Sequence, residues 1–164
     1  MALRQIREVG DNLLRKKSRP VEVVDDKIRQ LMDDMYETMK NADDGIGIAA
    51  PQVGVLKRVI VIDLGEEGDG HVYKLVNPVI IKQKGEQVCR EGCLSVPGVT
   101  GDVIRPKEVV VEALDENGKP IKIKAKDLFA ICLSHEIDHL DGVLFIDKAT
   151  EIFEDDENTE EEKK

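Results

Sequence analysis

The sequence predicts an α+β domain, and three observations carry that reading. Short β-branched runs are separated by turn signals, two of them flank an Asn-Gly turn, and one central helix pattern follows them all. At 164 residues the chain is a single domain of ordinary size, long enough to bury a proper core. With 41% hydrophobic residues, 3% aromatic residues and no Trp, that core must be mostly Ile, Val, Leu and Met.

Ile28, Leu31, Met32, Met35, Tyr36 and Met39 recur three and four apart, which predicts an amphipathic helix over 25–42 started by Asp25 and Asp26. Its Met and aromatic positions read as core, and Asn41-Ala42-Asp43-Asp44 ends it. Residues 45–54, Gly-Ile-Gly-Ile-Ala-Ala-Pro-Gln-Val-Gly, are too rich in Gly for a helix and too small in their side chains for a plain strand. Residues 58–64 form a buried strand and 66–70 a loop. Further strands at 72–76 and 79–82 are broken at Asn77-Pro78. Residues 109–114 and 120–125 form a hairpin around 115–119, with Asn117-Gly118 in the turn. The second helix has Asp127 as its N-cap and Gly142 just past its end. Leu128, Ile131, Cys132, His135 and His139 share one stripe of it, so the face that is buried also carries the histidines.

Charge divides the chain. The net charge is -10, of which residues 151–164 contribute -6, and that stretch has almost nothing to bury. It reads as a solvated, largely disordered acidic tail behind a domain over 1–150. An acidic balance argues against DNA, RNA or an anionic membrane as the main partner. No apolar run approaches the roughly 20 residues that span a bilayer, and the first residues lack a signal-peptide core, so a cytoplasmic home is expected. An odd count of three Cys there points to thiols rather than a disulfide framework.

His135-Glu136-Ile137-Asp138-His139 is the most informative stretch. Residues four apart on a helix lie one turn apart on the same face, so both imidazoles can reach one cation. Glu136 can then sit beside a water on that cation without entering its coordination shell, which gives two ligands and a general base. A catalytic site needs one more protein ligand and an open position. Cys93, in Glu91-Gly92-Cys93-Leu94-Ser95, is the best candidate, since Gly92 frees the backbone and a thiolate is a strong soft-metal ligand. A second arrangement stays open: Cys89, Cys93, His135 and His139 would close a Cys2His2 structural zinc site in a non-enzymatic adaptor, which assigns no work to Glu136. A metallopeptidase cutting internal bonds is the other rival. Asp138 reads as pointing off the metal, towards Arg105 or into solvent.

Residues 45–52, 91–95 and 135–139 resemble, in the right order, the three signature motifs of bacterial peptide deformylases. Asp11, Leu14, Arg15, Pro20 and Val21 extend the likeness over roughly residues 1–150. The resemblance implies a catalytic domain over 1–150 in which mixed or antiparallel sheets pack around the HExxH helix. It also implies removal of the formyl group from the N-terminal formyl-methionine of new polypeptides. Cys93, His135 and His139 become the ligands of one divalent ion, usually ferrous iron and replaceable by zinc, nickel or cobalt. Glu136 becomes the acid/base acting on a metal-bound water, while the Gln52 amide and the Leu94 N–H become oxyanion donors. Ile46, Gly47, Glu91, Gly92, Ile131 and Cys132 line the substrate cleft with its methionine pocket. Core packing remains an equal reading of Cys132, and backbone capping an equal reading of Gln52. Cys89 is incidental to the chemistry. Some relatives dock on the ribosome through a basic C-terminal helix; this acidic end does not suit that mode, which leaves only transient ribosome contact by another route.

Overall fold

The spacing of apolar residues after Asp25 produces the first helix. In the computed structural model, which describes residues 2–42 and 45–154, α1 spans Asp26–Asn41, and the Asp25 carboxylate accepts from the Ile28 N–H at 3.1 Å. Ile28, Leu31, Met32, Met35 and Met39 are buried on one face. Asp43 and Asp44, expected in the helix stop, lie outside the described residues.

Eight strands follow: β1 (Gly47–Ala49), β2 (Val59–Asp63), β3 (Val72–Lys84), β4 (Gln87–Cys93), β5 (Val96–Arg105), β6 (Glu108–Leu114), β7 (Pro120–Lys126) and β8 (Glu151–Glu154). They make two sheets, one in the order β1-β2-β3-β6-β7 and one in the order β4-β5-β8. Every pairing within them is antiparallel. The apolar run of β2 is buried along its whole length because both faces are covered. Ile60 and Ile62 pack with Leu75, Val111, Leu133 and Ile137, while Val59 and Val61 pack with the Met side chains of α1.

Three local expectations need correction, and one hairpin was not anticipated. Asn77-Pro78 does not end a strand: β3 runs on through a register shift between Val76 and Val79, with Asn77 at φ 53°. Residues 87–105, which carry few β-branched signals between Gln87 and Cys93, pair as the β4–β5 hairpin. Glu151–Glu154, assigned by composition to the acidic tail, form an edge strand on β5, and the Phe153 ring lies under the Arg90 guanidinium at 3.7 Å. Residues 155–164 of that tail lie outside the described residues. Finally, Asp127 does not cap the second helix, α2 (Asp127–Leu140). It is the first helical residue, at φ 55°, with Lys126 at the cap, and its carboxylate pairs with Lys107 at 2.6 Å.

α2 lies between the sheets and is buried on every side from Ala130 to Ile137, so the stripe expected from its sequence widens to the full circumference. After it come Gly142, at φ 75°, and the single turn α3 (Phe145–Lys148). The Gly142 N–H donates to His139 O at 3.1 Å, and the Val143 N–H to Asp138 O at 3.0 Å, which closes the helix end in a left-handed turn. A Cβ on Gly142 would collide with the backbone carbonyl of Arg15. Gly142→Ala is therefore expected to lose at least about 1–3 kcal/mol of stability, read as a lower urea midpoint with an unchanged slope.

Candidate active site and metal centre

Helical spacing brings the His135 and His139 rings to 5.1 Å between centroids. The third candidate donor comes from the three-stranded sheet. Cys93 ends β4 at a register shift, and Leu94 and Ser95 form the turn into β5. One ligand atom from each of Cys93, His135 and His139 lies within 4.8 Å of the others, and Cys93 Sγ is 3.3 Å from His139 Nε2. A thiolate with two imidazoles suits zinc or a late first-row divalent ion, and three protein donors leave a coordination position open. A buried polar atom supports the fit, because Glu136 Oε1 has no hydrogen-bond partner among the described residues. Cys89 is not part of this cluster. It is half-buried four residues back on β4, its Sγ donates to the Arg90 carbonyl at 3.6 Å, and burial with the nearby Glu91 charge pushes its thiol pKa up. The four-donor Cys2His2 arrangement is therefore not formed.

A charge network that the sequence hinted at only through Asp138 holds the donors in place. Arg105 on β5, 2% exposed, donates from Nε and Nη2 to the two Glu91 oxygens at 2.7 and 2.8 Å, and from Nη1 to Asp138 at 2.6 Å. Lys148 reaches Asp138 from α3 at 3.1 Å. Glu91 Oε1 is 2.7 Å from His135 Nδ1. Burial works against the Glu91 carboxylate, but hydrogen bonds from Arg105 and His135 outweigh it and bring its pKa down to about 2. An ionised carboxylate only accepts, so Nδ1 carries the hydrogen and Nε2 is left as the ring's donor atom. Phe145 stacks on the same imidazole at 6.1 Å between centroids. Sequence reasoning placed Glu91 in the cleft but missed its hold on His135, and missed Phe145 entirely.

The other expected residues gather around one cavity of about 370 Å³. Ile46, Gly47, Gln52, Glu91, Gly92, Cys93, Leu94, Ile131, Cys132, His135 and Glu136 all line it. Cys132 also belongs to the core packed on α2, so both of its readings describe its position. Gln52 likewise does two things. Its Oε1 accepts from the Ala49 N–H at 2.9 Å, which turns Nε2 towards Cys93 Sγ at 3.5 Å and Ser95 Oγ at 3.1 Å. Glu136 is buried behind Gly47, where a Cβ would meet Oε2 at 2.6 Å, so only Gly lets the chain pass so close. Burial pushes the Glu136 carboxyl up to about 7.

Because Glu91 falls from its ordinary 4.5 to about 2 on folding, its contribution to stability is complete above pH 4.5 and is lost as pH drops towards 2. In the metal-free protein, urea titrations over that range should show a loss of about 3 kcal/mol, and Glu91→Gln should flatten that part of the profile.

Comparison with known proteins gives the family. The sequence profile of the polypeptide deformylase family covers residues 3–154. Peptide deformylase 2 of Clostridium acetobutylicum is 59% identical over 92% of this chain and 98% of its own. The peptide deformylase of Acetivibrio thermocellus is 57% identical over 96% of this chain and 89% of its own. The crystal structure of the Ehrlichia chaffeensis peptide deformylase in complex with actinonin superposes with a TM-score of 0.87 at 42% identity, over 92% of this chain and 90% of that one. The chain belongs to the polypeptide deformylase family, metal-dependent hydrolases that remove the N-formyl group from nascent polypeptides.

Proposed function

We propose that the cavity between β1 and β4 is where this chain deformylates the N-terminal formyl-methionine of new polypeptides. The observation that carries the assignment is the convergence of Cys93, His135 and His139 within 4.8 Å, together with a buried Glu136 oxygen that has no hydrogen-bond partner among the described residues. Both strands are open sheet edges, so an extended chain end can pair between them as an added strand. The apolar side chains of Ile46 and Ile131, with Cys132, receive the methionine side chain. Gly47 and Gly92 let the substrate backbone come close.

Cys93, His135 and His139 hold one divalent ion, with ferrous iron as the native metal and zinc, nickel or cobalt as substitutes. A cation bound there supplies Lewis acidity, making water acidic near neutral pH and polarising the formyl carbonyl. Glu136 takes a proton from the attacking water and passes it to the methionine nitrogen as the C–N bond breaks, releasing formate and a free amine. The Gln52 Nε2 and the Leu94 N–H donate to the oxygen that becomes negative; one such donor is commonly worth about 10²–10³ in rate. A formyl carbon bears no substituent, so a tight site admits it and disfavours acetyl, although one methyl is worth only about 1–3 kcal/mol.

The reaction is placed in the cytoplasm, where nascent chains emerge. Among the described residues no helix is long and apolar enough to cross a membrane. Contact with the ribosome is transient on this reading, and residues 155–164, which are mostly acidic, do not supply a basic docking surface.

The deciding experiment measures formate release from formyl-Met and acetyl-Met peptides by protein purified under argon, with free-amine release from unformylated peptides as the control for a peptidase. Turnover of the formyl substrate alone is expected. Glu136→Gln should lower it by about 10²–10⁴ with metal content unchanged; loss of the metal instead would make Glu136 structural. The iron form should lose activity in air and keep it under argon, because an oxidisable thiolate ligates a redox-active ion. Equal half-lives would count against iron beside Cys93.

A further inference from the structure

Side chains alternate along β4. Gln87, Cys89, Glu91 and Cys93 are at least half-buried and turn inward, whereas Val88, Arg90 and Gly92 are exposed on the outer face. Arg90 is fixed there on two sides. Its Nε donates to Asp102 Oδ1 at 3.1 Å, directly across on β5, and its guanidinium lies 3.7 Å from the centre of the Phe153 ring on β8. Neither Nη group has a partner among the described residues. A long cation on an exposed sheet face ordinarily wanders and recognises nothing. This one is held flat, with its fork unfilled, on an edge strand that borders the cavity.

We propose that Arg90 is a specificity-determining residue that favours an acidic side chain at the second position of the substrate. The proposal rests on the deformylase reading of the cleft. A substrate paired along β4 alternates its own side chains about the sheet. With the methionine turned inward towards Ile131 and Cys132, the second side chain turns outward, onto the face that Arg90 occupies. Gly92 lies on that face between Arg90 and Cys93, and without a side chain it leaves the approach clear. Asp102 engages only the Nε edge, so the Nη pair remains to bind a second carboxylate. The net charge of -10 repels acidic peptides at long range whatever position the acid occupies. A preference for acid at one position and not at the next is therefore the mark of a local contact.

The test compares kcat/KM for formyl-Met-X-Ala-Ser peptides with X as Asp, Asn or Lys, and for formyl-Met-Ala-X-Ser controls, using the wild type, Arg90→Gln and Arg90→Glu. The wild type should favour Asp over Asn about two- to fivefold at low salt, the range of a cross-strand charge pair, and Lys should be poorest. High salt should shrink that ratio. Arg90→Gln should bring it to about one, and Arg90→Glu should invert the order. If Arg90→Glu melts early because Phe153 loses its cation, Arg90→Gln alone decides. An Asp/Asn ratio unchanged in Arg90→Gln overturns the proposal, as does an equal advantage when Asp moves to the third position. Failure to release formate from any formylated peptide would instead overturn the deformylase reading itself.

Discussion

The site depends on one buried guanidinium. Arg105 joins three pieces of chain: its own strand, the neighbouring edge strand of the same hairpin that carries Glu91 and Cys93, and the helix, 33 positions on at Asp138, that carries both histidines. A buried ion pair is weak evidence for stability, since desolvation offsets much of the attraction, whereas removing one partner leaves an uncompensated charge that costs about 3–5 kcal/mol. What the arrangement supplies is position. The planar fork fixes Glu91, and Glu91 fixes the ring and tautomer of His135. The small sheet is thereby registered against α2, so that the Cys93 sulfur from one layer meets imidazoles from another.

How much of this could be read in the sequence depended on the range of the interactions. Local periodicity sufficed for α1, for the strand at Val59–Asp63 and for the hairpin around Asn117-Gly118. The His-Glu-x-x-His spacing sufficed to bring His135 and His139 together on one helix, because four residues on a helix is a local distance. The β4–β5 hairpin was not legible: Gln87–Cys93 alternates in burial but not in hydropathy, and its inward positions are Gln87, Cys89, Glu91 and Cys93 rather than β-branched residues. Glu151–Glu154 looked like tail because its composition is acidic, and only the pairing with β5 and the Arg90–Phe153 stack make it a strand. The Glu91–His135 contact spans 44 positions, and no local pattern encodes it. The helix start misled for a related reason. An Asp before an apolar helix ordinarily caps it, but Lys107 across the turn draws the Asp127 carboxylate away.

Crowding around Glu136 explains why residues 45–54 resisted assignment as helix or strand. That segment must supply an edge strand, pass the Glu136 carboxylate at a distance only Gly permits, and then turn tightly through Ala50–Val53 so that Gln52 faces Cys93. Small residues answer all three demands, and the weak propensity of the segment follows from them. Local rules fail here because the chemistry sets the backbone path.

A protein with open sheet edges must avoid pairing through them with another copy of itself. Unpaired backbone edges are templates for aggregation, and their length and flatness set the hazard. Here β1 offers three residues, and β4 offers seven with a break in register between Gly92 and Cys93. The outer edge at β7 bears Lys122, Lys124 and Lys126, whose like charges oppose stacking of one molecule on the next. The open edges are thus confined to stretches too short, too bent or too charged to polymerise.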